Sequence, residues 1–170
     1  MTIKRIAIVG PESSGKTYLA AQLASYYKCY WVPEYAREYL QRLKKPYTKS
    51  DVEKIARGQI DYEDVMAAES KRILICDTNL IVIKVWMEFK YQSCPKWVDE
   101  EIGKREYALH LIASPDIPYE EDPLREHPLQ REELFEKHVE LLDKLKINYA
   151  VISGKYNQRL RKAVDAIEKL

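Results

Sequence analysis

Short apolar runs alternate along this chain with longer stretches whose apolar residues recur every three or four positions. Ile3-Lys4-Arg5-Ile6-Ala7-Ile8-Val9 reads as a buried strand ending at Gly10. Between Lys16 and about Tyr27, the residues Leu19, Ala20, Leu23 and Tyr27 share one face at helical spacing. Cys29-Tyr30-Trp31-Val32 is a short β-type stretch stopped by Pro33, and Glu34 to Leu43 reads as a helix. Ser50 or Asp51 starts the next helix, with Glu53 or Lys54 in its first turn and its end near Ser70.

Lys71-Arg72-Ile73-Leu74-Ile75-Cys76-Asp77 is a further buried strand, and it ends on an acid. Ile81, Val82, Val85, Trp86 and Phe89 then predict a helix over Thr78–Tyr91, and a short helix follows over Asp99–Arg105. Tyr107-Ala108-Leu109-His110-Leu111-Ile112-Ala113 is another strand. Pro115, Pro118 and Pro123 make Ser114–Arg125 a loop, with Pro128 just beyond it. Arg131–Leu145 is a charged amphipathic helix, Tyr149–Ile152 the last strand and Asn157–Lys169 the last helix. Strands that alternate with helices, and that lack polar alternation, predict a parallel sheet covered on both faces. No repeat, low-complexity segment or linker divides the chain, so one domain over residues 1–170 is expected.

Composition narrows the class. The 170 residues suffice for one buried core. Lys plus Arg number 28 and Asp plus Glu 27, a formal net charge of +1. That balance argues against a nucleic-acid partner or a polybasic membrane anchor. The charged residues are interspersed rather than blocked, which argues against disorder. Cys29, Cys76 and Cys94 have neither redox nor zinc spacing and read as free thiols. Without a leader pattern or a span-length apolar run, a soluble cytoplasmic protein is expected, with its oligomeric state open.

One motif carries specific chemistry. Gly10-Pro11-Glu12-Ser13-Ser14-Gly15-Lys16-Thr17 fits the pattern G-x-x-x-x-G-K-[ST] and lies between a strand and a helix. Glycines let backbone close around phosphate oxygens without Cβ clashes. The loop amides and the helix N-terminus then face the anion. Lys16 would reach the β- and γ-phosphates of a nucleoside triphosphate, and Thr17 would offer its hydroxyl to Mg²⁺. The fold expected is therefore the α/β P-loop NTPase fold: three layers, five parallel strands, and a short lid. Asp77 ends its strand as a Walker-B metal ligand does, or else caps the helix at Thr78.

In an open parallel sheet, ligands sit beyond the carboxyl ends of the strands. That rule selects Glu34, Tyr35, Arg37 and Glu38, then Asp77, Thr78 and Asn79, then Asp116, then Ser153, Gly154 and Asn157. Glu34 could hold or deprotonate an acceptor hydroxyl, or simply favour the first turn of a helix. Arg37 could pair with transferred phosphate or with a surface acid. Tyr35 and Tyr62 could stack on a flat, cationic ring or serve as core. The stretch Tyr119–Arg125 reads as a mobile lid from which Arg125 would close over the γ-phosphate, with Arg131 as a second candidate. The three histidines have no metal spacing and receive no role.

Four segments together resemble one family. Gly10–Thr17 is similar to the G-x-E-S-S-G-K-[ST] loop of the ribosylnicotinamide kinase domain of the NadR family. Glu34-Tyr35-Ala36-Arg37-Glu38 resembles its E-Y-x-R-E segment. Gly58 to Tyr62, followed by Asp77-Thr78, resembles its G-x-x-x-Y and D-T-D segments, and Asp122-Pro123-Leu124-Arg125 resembles its D-x-L-R lid. The resemblance covers nearly the whole chain. It implies transfer of the ATP γ-phosphate to the 5′-hydroxyl of nicotinamide riboside, in NAD biosynthesis.

Carried over, the loop residues Gly10, Glu12, Ser13, Ser14, Gly15, Lys16 and Thr17 serve ATP, with Asn157 beside them. Lys16, Asp77, Glu34 and Arg125 are the catalytic set, and Thr17 and Asp77 hold Mg²⁺. Glu34, Tyr35, Arg37, Tyr62, Asp77 and Asp122 face the nucleoside. Three positions depart from the family. Pro33 stands where the family has Trp, Asn79 replaces the second acid of D-T-D, and Pro123 replaces a lid glycine. No adenylyltransferase or DNA-binding segment accompanies the kinase, so a free-standing kinase is expected. Another small-molecule or nucleoside kinase of the fold, and a P-loop ATPase switch, are the competing readings. The switch lacks a base-reading N-K-x-D motif.

Overall fold

The computed structural model describes residues 3–170. Its elements run β1 (Lys4–Val9), α1 (Lys16–Tyr27), β2 (Trp31–Val32), α2 (Tyr35–Arg42), α3 (Lys49–Glu69), β3 (Ile73–Asp77), α4 (Leu80–Tyr91), α5 (Lys96–Lys104), β4 (Leu109–Ala113), α6 (Arg131–Lys144), β5 (Tyr149–Ile152) and α7 (Tyr156–Ile167). The strands form one five-stranded sheet in the order β2-β3-β1-β4-β5. Every pairing is parallel, with Ile8 opposite Asp77 on one side of β1 and opposite Leu111 on the other. The expected α/β P-loop architecture is what forms.

The two-residue period of a strand divides β1 between two cores. Ile6 and Ile8 face α1 and α7, packing with Leu19, Leu23, Ala163 and Ile167. Ala7 and Val9 face the other way, packing with Ile81 and Val85 of α4 and Leu134 and Leu142 of α6. Both faces are therefore apolar, which is why the strands read as unbroken runs. A third cluster, built on Val52, Ile55, Ile83, Met87 and Val98, joins α2, α3, α4 and α5 beside the sheet. No helix among the described residues is long and apolar enough to cross a membrane.

Element ends show where local chemistry overrode the apolar pattern. The strand expected from Cys29 shortens to Trp31–Val32, because Cys29 closes α1: its backbone N–H donates to the Ala24 carbonyl. Helix α3 starts earlier than Ser50, because Thr48 and Asp51 form a reciprocal capping box. Helix α4 is capped by Asn79, whose Oδ1 accepts from the Ile81 amide at 3.0 Å. That leaves Asp77 free of the capping role it could have taken.

The α2–α3 seam rests on one glycine. A Cβ on Gly58 would overlap the Tyr35 ring. That ring packs edge-on against Tyr62 with centroids 4.9 Å apart. Gly58→Ala is therefore expected to destabilise the fold by about 1–3 kcal/mol through overpacking. In a Tyr35→Ala background the same change is expected to be neutral or stabilising, since alanine is the better helix former. Urea unfolding of the four-member mutant cycle measures both.

Candidate functional site

The Gly10–Thr17 loop follows β1 and opens α1, so its shape is set by backbone rather than by packing. Gly10 has φ 132° and Gly15 φ 79°, both in the region that suits glycine. A Cβ on Gly10 would also lie 2.7 Å from the Ala113 carbonyl oxygen. Ser13, at φ 52°, makes a third left-handed turn. Ser14 Oγ and Lys16 Nζ both donate to the Pro11 carbonyl, at 2.6 and 2.7 Å. The Lys16 ammonium thus folds back over the loop, where an anion would displace its carbonyl partner.

Arg159 of α7 anchors this loop to the neighbouring strand ends. It is 2% exposed. It donates to the carbonyls of Ser14 at 2.8 Å, Ser114 at 2.8 Å and Gly154 at 2.7 Å, and it ion-pairs with Asp116. Asp116 in turn accepts from the Gly154 amide at 2.6 Å. The sequence pattern marked Asp116 and Gly154 by position but missed Arg159, which reads as one more cation on an amphipathic helix.

Beside the loop, Thr17 Oγ1 donates to Asp77 Oδ2 at 2.6 Å. Asp77 is 1% exposed, and its Oδ1 is buried with no partner. Burial, reinforced by the Glu34 carboxylate, raises the Asp77 pKa to about 7, against the pull of Thr17, Lys16 and Arg37. An orphaned carboxylate oxygen next to a threonine hydroxyl is a hard-oxygen donor pair of the kind Mg²⁺ takes. No group of three or more His, Cys, Asp or Glu side chains among the described residues could hold a metal. Thr78, directly after Asp77, is held at φ 78°, a strained position for a β-branched residue. Asn79 Nδ2 bonds His110 Nε2 at 2.9 Å, and burial lowers the His110 pKa to about 4, so the imidazole is neutral.

The segment between β4 and α6 lies over the loop. Arg125 Nη1 reaches Ser13 Oγ at 3.3 Å. Arg131 donates to the carbonyls of Ser13 and Ile117, each at 3.0 Å, and so fastens the start of the lid rather than swinging free. Arg37 pairs with Asp122 at 2.9 Å and links α2 to the lid tip.

Loop, lid, α2, α4 and α6 enclose one cavity of about 770 Å³. Of the residues singled out by sequence, Gly10, Glu12, Ser13, Ser14, Gly15, Lys16, Thr17, Glu34, Arg37 and Arg125 line it. Four others do not. Tyr35 and Tyr62 pack against each other in the α2–α3 seam, where Tyr62 also donates to Glu38. Asp122 is held by Arg37 and by the Leu124 amide. Asn157 is exposed on α7, and its neighbour Tyr156 lines the cavity instead. The aromatic wall comes from Trp86 and Phe89 of α4, read from the sequence only as helix spacing, with Tyr47, which the sequence did not single out. Tyr47 links Trp86 Nε1, at 3.1 Å, and Lys90 Nζ, at 2.6 Å, to the lid acid Glu126. The only sequence signal for these was an excess of large aromatics on a helix face turned towards the strand ends.

Comparison with known proteins adds the family. A family model described as an AAA domain matches residues 5–159. The chain is similar to the trifunctional NAD biosynthesis/regulator protein NadR of Escherichia coli (strain K12), at 25% identity over 99% of this chain and 43% of the relative. It thus spans less than half of the length of that protein. Among solved structures, a NadR protein in complex with NR superposes with a TM-score of 0.82, at 23% identity over 99% of this chain and 51% of the other. A NadR protein in complex with NAD and AMP-PNP gives 0.80, at 23% identity over 99% and 49%. These likenesses establish the shared fold.

Two predictions follow from the geometry. Arg159→Met is expected to cost about 3 kcal/mol, because it strips the carbonyls of Ser14, Ser114 and Gly154 of their donor and leaves the exposed Asp116 without its cation. Chemical denaturation measures the loss, and weaker nucleotide binding should accompany it. Asp77 has a folded pKa near 7, against about 4 for an unfolded aspartate. The folded state therefore binds more protons across that window, so metal-free stability should fall as pH rises from about 4 to about 7 and stay low above it. In Asp77→Asn that decline should vanish, leaving the variant more stable than the parent at neutral pH. Urea midpoints against pH check this.

Proposed function

We propose that this chain, which belongs to the AAA domain family, is an ATP- and Mg²⁺-dependent kinase for the 5′-hydroxyl of nicotinamide riboside. One observation carries the reading: a phosphate-binding loop and an aromatic, acid-rimmed wall share a single cavity under an arginine-bearing lid. The first part suits a nucleoside triphosphate. The second suits a flat cation, since Trp86, Phe89 and Tyr47 offer ring faces while Glu34 and Glu126 supply negative charge. Nicotinamide riboside is such a cation. Pro33 stands where the NadR family has Trp, and Trp86 supplies an indole from another element. The motif resemblance and the NadR complex with NR support the same acceptor.

In this reading the loop amides and Lys16 hold the triphosphate, with Lys16 leaving the Pro11 carbonyl for the β- and γ-oxygens. Thr17 and Asp77 would hold Mg²⁺, which when bound offsets charge on the phosphates. Glu34, whose side chain makes no capping bond to α2 and lines the cavity, receives the 5′-hydroxyl. The 5′-hydroxyl oxygen attacks the γ-phosphorus as the bond from that phosphorus to the β,γ-bridging oxygen breaks. The proton passes to Glu34, and ADP leaves with nicotinamide mononucleotide as product. Arg125 turns from Ser13 to the transferred group and neutralises it. The free cysteines suit a reducing cytoplasm.

Purified protein with Mg·ATP and a panel of nucleosides tests this by ADP release. Nicotinamide riboside is expected to give the highest kcat/KM. Stimulation by another nucleoside but none by nicotinamide riboside would replace it with the second reading, a nucleoside kinase of different acceptor. Lys16→Ala is expected to lower turnover on the order of 100-fold or more.

A further inference from the structure

Glu12 occupies one of the variable positions of the phosphate loop. A carboxylate there is unexpected, because it can only accept hydrogen bonds and repels a polyphosphate. Its two oxygens are already filled from the lid. Glu12 Oε1 accepts from the His127 amide at 2.6 Å and Oε2 from the Glu126 amide at 3.0 Å. Two consecutive backbone N–H groups converge on one carboxylate, and bonds of this kind are charge-assisted. The adjacent Ser13 repeats the pattern: its Oγ accepts from the Glu120 amide at 2.9 Å and from Arg125 at 3.3 Å.

We infer that Glu12 is not a nucleotide ligand but the latch that holds the lid, and with it Arg125, over the phosphate loop. The residues it captures, Glu126 and His127, directly follow Arg125 in the chain. Fixing their amides sets where the guanidinium can lie. The same loop that seats the triphosphate therefore also positions the cation meant for it. Pro123 stiffens the lid just before this stretch, so one carboxylate can place the whole segment. Glu12 acts through the lid and touches no reacting atom, so it is a positioning residue. The latch stands on geometry alone; only its kinetic consequence rests on the kinase reading.

Hydrogen exchange of the free protein tests the latch without any acceptor. In Glu12→Ala, the amides of Glu126 and His127 are expected to exchange about tenfold faster or more, with β1, β3 and β4 unchanged. Glu12→Gln keeps a neutral acceptor oxygen and should lie between. His127→Pro deletes one donor from the lid side, and Glu12→Ala in that background should add less than it does alone. In kinetics, Glu12→Ala should lower kcat for phosphotransfer more than it raises KM for ATP, and should raise the ratio of ATP hydrolysis to transfer as the lid admits water. Unchanged exchange at 126–127 in Glu12→Ala would overturn the latch. So would faster exchange spread equally through the sheet, or a loss of ATP affinity with the lid still protected. A confirmed latch with no turnover of any nucleoside would instead count against the kinase reading and leave the latch standing.

Discussion

A single buried guanidinium holds the site together. Arg159 reaches the phosphate loop through the Ser14 carbonyl, the end of β4 through Ser114 and Asp116, and the end of β5 through Gly154. These three segments are the carboxyl ends of adjacent strands, where helix dipoles and open amides gather. Left alone, three carbonyls and a carboxylate would crowd the Gly10–Thr17 loop. One cation that occupies all of them turns those acceptors away and leaves the loop amides facing inwards. Removing the charge would leave several buried acceptors unsatisfied at once, so the arrangement is stable only as a set.

Around that anchor, charge is distributed about the Gly10–Thr17 loop. Lys16 lies within the loop, Arg125 beside it on the lid, and Arg37 at the cavity edge. Acids lie on the other side: Asp77 buried near Thr17, and Glu34 and Glu126 on the wall. Asp77 is the costliest of them. Its pKa near 7 expresses burial beside the Glu34 carboxylate, which outweighs Thr17, Lys16 and Arg37. The Thr78 backbone beside it is strained as well, and strain persists where surrounding structure enforces it. The lid joins these halves: Glu12 and Ser13 bind it to the loop, Arg37 binds it to α2, and Glu126 binds it to Tyr47.

The amino-acid sequence by itself determined the architecture and the phosphate end of the site. Unbroken apolar strands, helices at 3.6-residue spacing and G-x-x-x-x-G-K-T are local patterns, so they survive without knowledge of neighbours. Lys16, Thr17, Asp77, Glu34 and Arg125 were legible because each sits at a strand end or in a motif. What only the tertiary structure decided were partners distant in the chain. Tyr35 and Tyr62 read as stacking residues or as core, and Gly58 decides it, leaving a hollow in α3 that draws Tyr35 into the α2–α3 seam. Trp86 and Phe89 read only as the apolar spacing of a helix, yet they form a cavity wall. Glu12 read as part of a nucleotide cradle, yet its bonds run to residues more than a hundred positions away. Periodicity tells which face of an element is apolar. Whether that face meets another helix or a ligand depends on what the rest of the chain brings opposite it.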